Sequence, residues 1–192
     1  MSSVLPSKIM KTAIAISLLA CLTLTGCDLV KIDKPFGEQV DSKRLAIAVG
    51  RWSDEEHEIF ELRVSKTREL VGGNLVWDEE SQRYKNNSGL IDVRTASGVE
   101  YLFATDKDST VVGRVEIIND DQLRLYIPDP KAFREAVLSD TLSGKVVEKK
   151  SDRIDVTLIA DDKLKRFLER PNWRVQYLPD TMVTYTRLPA PK

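Results

Sequence analysis

The chain of 192 residues holds a single histidine, His57, and two cysteines, Cys21 and Cys27, so the side chains that most often do chemistry near neutral pH are nearly absent. His57, Glu58, Ile59, Phe60 and Glu61 begin like a zinc site built on one helix face, but such a site needs a second histidine four residues after the first, and Glu61 stands there. With Asp54, Glu55, Glu56 and Glu58 around it, the stretch is expected to be a solvated acidic loop or strand end. A serine nucleophile with His57 as its base stays open on sequence alone, although the Gly-x-Ser-x-Gly elbow that marks one class of such enzymes is absent. Paired carboxylates for glycoside hydrolysis could be drawn from many of the 30 acidic residues, and sequence does not select two of them.

The most pointed carboxylate set is Asp106, Lys107, Asp108, Ser109, Thr110 and Val111, directly after the apolar run from Tyr101 to Ala104. It resembles the first motif of haloacid-dehalogenase-like phosphatases, which implies Asp106 as the nucleophile and Asp108 as the proton-handling acid of a carboxylate-dependent hydrolase. Those enzymes are α/β with a parallel sheet, whereas here the apolar alternation resumes at once in Val111 to Ile118 and alternating helices are lacking. As a calcium loop the same residues place Val111 where glycine is required and Ile117 where the bidentate glutamate belongs. A turn rich in Asp and Ser is the simpler expectation.

The amino-terminal stretch is more specific. Lys8 and Lys11 precede an uncharged run of 12 residues, Ala13 to Leu24, too short to span a bilayer, which takes roughly 20 apolar residues. The run ends in Leu24, Thr25, Gly26 and Cys27, which resembles the lipobox of bacterial lipoproteins. The resemblance implies removal of residues 1–26 as a signal peptide and lipid attachment, palmitate among the acyl groups, at Cys27. Asp28 resembles the signal that retains a lipoprotein in the inner membrane. The expected location is the cytoplasmic membrane, lipid-anchored and facing the periplasm or cell exterior. Cys21 leaves with the signal and Cys27 is committed to lipid, so no thiol remains for a disulfide, a metal or catalysis.

Removing residues 1–26 takes Lys8 and Lys11 from the 29 basic residues and no acid, leaving 27 against 30 and a net charge of −3. That balance argues against nucleic acid as a partner. The 42% apolar content argues against disorder. Residues 28–44, polar with Pro35 and Gly37, are expected to be a tether after the anchor, averaging about 20–25 Å end to end as flexible coil.

From residue 45 to 192 the dominant signal is alternation. Phe60, Leu62 and Val64 oppose Glu61, Arg63 and Ser65, and similar runs occupy 45–50, 70–77, 89–95, 99–104, 111–118, 122–127, 144–149, 153–160, 173–178 and 182–188. Turns are expected at 78–81, 86–89, Ser97 with Gly98, 119–121 and 149–152; Asn86, Asn87 and Ser88, a formal glycosylation acceptor, fall in the second. The hairpin joining Val111–Ile118 to Gln122–Ile127 is the clearest. Two short helices are expected, one capped by Asp129 with Pro130 at its first position and carrying Phe133, Ala136 and Val137, the other starting near Asp161 or Asp162 and presenting Leu164, Phe167 and Leu168 before Pro171. The predicted fold is a single mainly β domain, an antiparallel meander closed as a barrel or folded as a sandwich.

Gly50, Arg51 and Trp52 resemble the entry motif of lipocalins. The resemblance implies a calyx whose one end is plugged by Trp52, with Arg187 packed across it. The acidic stretch after Trp52 and the helices between late strands depart from that family's pattern, and a tryptophan filling any β core is the simpler expectation. The chain is therefore expected to be a non-enzymatic binding or envelope-assembly module with no cofactor beyond the lipid on Cys27. Its partners would be the membrane and an envelope protein, a polymer or a small apolar ligand, with a lipid-anchored hydrolase or a lipocalin-like carrier as alternatives.

Overall fold

The computed structural model describes residues 29–55, 59–66, 69–78, 83–106, 109–148, 154–169 and 177–189. Eight antiparallel strands close into a barrel: β3 (Gly50–Ser53), β4 (Ile59–Val64), β5 (Leu70–Asp78), β6 (Arg83–Ala96), β7 (Val99–Asp106), β8 (Ser109–Asn119), β9 (Gln122–Pro128) and β12 (Tyr177–Arg187). Each strand from β3 to β9 pairs with the next, and β12 closes the ring between β9 and β3, with Thr186 opposite both Gln122 and Ser53. Closure removes the exposed edges that an open meander would leave. The expected hairpin of β8 and β9 is present, turned by Asp120 and Asp121 with the Asn119 side chain accepting from Asp121 N at 2.9 Å. Ser97 and Gly98, both at positive φ, make the two-residue turn from β6 to β7, a conformation that matches strand twist.

Between β9 and β12 the chain inserts helix α2 (Pro130–Leu138), strands β10 (Gly144–Glu148) and β11 (Ile154–Leu158), and helix α3 (Asp162–Leu168). Both helices start as expected: the Asp129 carboxylate accepts from Lys131 N at 3.0 Å, and that of Asp161 from Leu164 N at 3.0 Å. Hydrogen bonds from the Ser143 side chain and from Leu164 N hold the Asp161 carboxyl below the usual range.

The segment expected to be a tether is part of the fold. Strand β1 (Leu29–Ile32) runs parallel to β11, with Leu29 opposite Asp155, and antiparallel to β8, with Ile32 opposite Thr110. Strand β2 (Glu38–Gln39) pairs with β6. Residues 45–50, expected as a strand, lie mostly in a third short helix, α1 (Ser42–Ala48). Leu-Ala-Ile-Ala-Val fits both periods, and the Asp41 carboxylate, accepting from Arg44 N at 2.9 Å, decides for helix. The turn expected at 86–89 is the interior of β6, where Asn87 stands opposite Asn74 and the ladder to β5 runs without a break from Arg83 to Ile91.

Two cores result. The first fills the barrel with Trp52, Leu62, Ile91, Leu102, Val115, Leu125 and Tyr185, joined by Leu29 and Ala48. The second lies on the outside of the barrel wall, where Tyr101, Phe103 and Val112 of β7 and β8 meet Val30, Ile32, Val156 and Leu158 beneath Phe133 of α2 and Phe167 of α3. Phe36 caps this second core, its ring 5.1 Å from Tyr101 and 5.2 Å from Phe103.

Candidate functional site

The barrel is plugged at the end where β12 finishes and β3 starts. Trp52 is fully buried there, and its indole N–H donates to the Ala48 carbonyl at 2.9 Å, tying the plug to the last turn of α1. The Arg187 guanidinium carbon lies 4.3 Å from the Trp52 ring centroid. The same guanidinium donates to Val49 O at 2.8 Å, to Asp120 O at 2.5 Å and to Ile47 O. One cation thereby binds the helix exit, the β8–β9 turn and the tryptophan face. Gly50 explains its own place in the motif: its φ is +144°, and a Cβ there would collide with Arg187 Nη1. On the flank of α1, Arg44 grips both oxygens of Glu100 through Nε and Nη2, at 2.7 and 3.2 Å.

Above the plug the interior is lined by apolar side chains, among them Phe60, Leu62, Ile91, Leu102, Val115 and Ile117, with Tyr185 the exception. The cavity that the described residues enclose here is about 30 Å³, room for about two water molecules. Ligand pockets for drug-sized molecules run to about 300–1,000 Å³. At Gly72 a Cβ would collide with Ile91 and press on Phe60, two of the side chains that line this space.

A polar cluster that sequence reasoning missed decorates the outside of β8 and β9. Tyr126 donates to Glu116 Oε2 at 2.8 Å, Arg114 stacks over the Tyr126 ring at 5.7 Å, and Tyr177 packs edge-on to Tyr126 at 6.5 Å. Burial pushes the Tyr101 hydroxyl up to about 12, with Arg114 opposing and Glu169 reinforcing the shift, and burial raises Tyr177 as well. The alternation of Arg114 and Glu116 with the inward Val115 and Ile117 was the available signal.

The residues singled out from sequence are scattered. Asp106 is the last residue of β7, opposite Ser109 on an antiparallel hairpin, and Lys107 and Asp108 lie outside the described residues. So do Glu56, His57, Glu58, Cys27 and Asp28. Ile59, Phe60 and Glu61 belong to strand β4, so no helix face continues from His57 to Glu61. Among the described residues no group of three His, Cys, Asp or Glu side chains could hold a metal ion, and no helix is long and apolar enough to cross a membrane. No family model, curated protein or solved structure matches the chain.

Proposed function

We propose that the chain is a membrane-anchored extracytoplasmic lipoprotein whose barrel is a non-enzymatic binding or envelope-assembly module that works through its outer surface. The observation carrying this reading is the interior, an apolar space of about 30 Å³ that is an order of magnitude below an ordinary ligand pocket. The anchor itself rests on the lipobox residues ending at Cys27, with Asp28 as the inner-membrane retention signal. A filled, closed barrel is a rigid scaffold for whatever its outer face recognises, an envelope protein or polymer. The hydrolase alternative finds little support, because Asp106 closes an antiparallel hairpin instead of a parallel-sheet loop.

A lipocalin-like carrier of a small apolar ligand is the second reading, favoured by the stacking of Arg187 on Trp52 at the plugged end of a closed barrel. It requires the side chains around Phe60 and Tyr185 to move apart to admit the ligand. Two measurements test the proposal. Replacing Cys27 with Ser should release the protein from the membrane fraction; unchanged membrane association would refute the anchor. Titration of that soluble form with fluorescent fatty-acid analogues should show no saturable binding, and a stoichiometric, saturable signal would favour the carrier.

A further inference from the structure

The start of the fold lies unusually close to Cys27. Leu29 is the first residue of β1, is 8% exposed, and is fixed on one side by β11 and packed into the barrel core. Asp28 alone separates it from the cysteine. Two Cα–Cα steps span at most about 7 Å, while a domain of this length has a radius of gyration of about 15 Å. A leash shorter than the body it holds leaves the body little freedom to choose which face it presents.

Building on the proposed lipidation of Cys27, we infer that the barrel is docked on the bilayer surface in one orientation, with the start of β1 and the β10 side of the β1–β11–β10 sheet, where Lys145 and Val147 are exposed, against the headgroups. One face of that sheet covers the second core through Val30, Ile32, Val156 and Leu158. Alternation puts Lys31, Thr157 and Lys145 in one row on the other face, and Leu29, Asp155 and Val147 in the next; this face turns into the barrel core at Leu29 and opens toward β10. Asp155 is buried and paired with Lys31 at 3.8 Å, whereas Lys145 and Val147 are exposed. A lysine and an aliphatic side chain beside the anchor suit an anionic bilayer surface. The opposite wall of the barrel, β4, lies four strands from β8 in either direction round the ring and points away from the membrane.

The test uses the full mature protein, lipidated at Cys27, in vesicles of phosphatidylethanolamine and phosphatidylglycerol that carry a headgroup energy-transfer acceptor. With Cys27 acylated, a cysteine introduced by Val147→Cys or by Val64→Cys is the one free thiol, and both parent side chains are exposed. A donor at position 147 should be quenched at least threefold more than one at position 64. Inserting 12 Gly/Ser residues between Asp28 and Leu29 should bring the ratio close to one. Equal quenching at the two positions in vesicle-bound protein would overturn the orientation, and a ratio unchanged by the insert would overturn the short leash as its cause. A mature chain without the lipid mass at Cys27 would instead refute the anchor, which the intact mass reports separately.

Discussion

Arg187 ties the exit of α1, the β8–β9 turn and the Trp52 ring together at the plugged end of the barrel, and Arg187→Ala is the perturbation that measures what that network contributes. The substitution removes the guanidinium stacked on Trp52, an interaction of about 1–2 kcal/mol when largely shielded from water. It also strips a donor from three backbone carbonyls, those of Val49, Ile47 and Asp120, at roughly 1 kcal/mol each because water can reach part of this end. Together the loss should be about 3–5 kcal/mol, a large fraction of the stability of an ordinary domain. For a urea slope near 2 kcal/mol per molar, the unfolding midpoint of the soluble Cys27→Ser form should fall by about 1.5–2.5 M. Arg187→Lys should recover under half of the loss, because an ammonium keeps the charge but lacks the planar fork that reaches three carbonyls while stacking. A cycle with Trp52→Leu isolates the stacking contribution, for which a coupling of about 1 kcal/mol is expected. A loss below about 1 kcal/mol for Arg187→Ala would show that this contact network does not hold the plugged end together.

Other substitutions test neighbouring steps by the same denaturation assay. Gly50→Ala should cost at least about 2 kcal/mol, since it combines a positive φ with a collision against Arg187; a loss under 0.5 kcal/mol would contradict the geometry. Asp41→Ala should cost about 1 kcal/mol through the lost cap of α1, with Asp41→Asn nearly neutral. For Tyr101, raised to about 12 against 10 in the unfolded chain, stability is fully present below pH 10 and is lost as pH rises from 10 to 12, by about 2–3 kcal/mol. Tyr101→Phe should therefore flatten the alkaline limb of the stability profile, and a limb as steep as in the parent would show that the hydroxyl is not shielded.

What could be read from the residues follows the range of the interactions that fix each element. The helices capped by Asp129 and Asp161, the turn at Ser97 and Gly98, and the β8–β9 hairpin are decided within a few residues, and all were legible. The placement of Arg187 against Trp52 spans most of the chain and became legible only because a short motif marked one end of it. Strand β1 was hidden because Leu29, Val30 and Ile32 are too few to show a period, and the partner that orders them, β11, follows only after the whole meander has been laid down. The helix at 42–48 was misread because apolar and small residues alternate in it, leaving its cap as the deciding feature. The nearly filled interior was not legible at all, since cavity volume depends on how Phe60, Ile91 and Gly72 interdigitate.

The most direct test of the central claim is native mass spectrometry of the mature protein extracted from membranes. The expected species is a chain beginning at Cys27 that carries the mass of its covalent acyl groups and no further small molecule held by the barrel. A chain without that added mass, or one with a stoichiometric non-covalent apolar ligand, would contradict the claim.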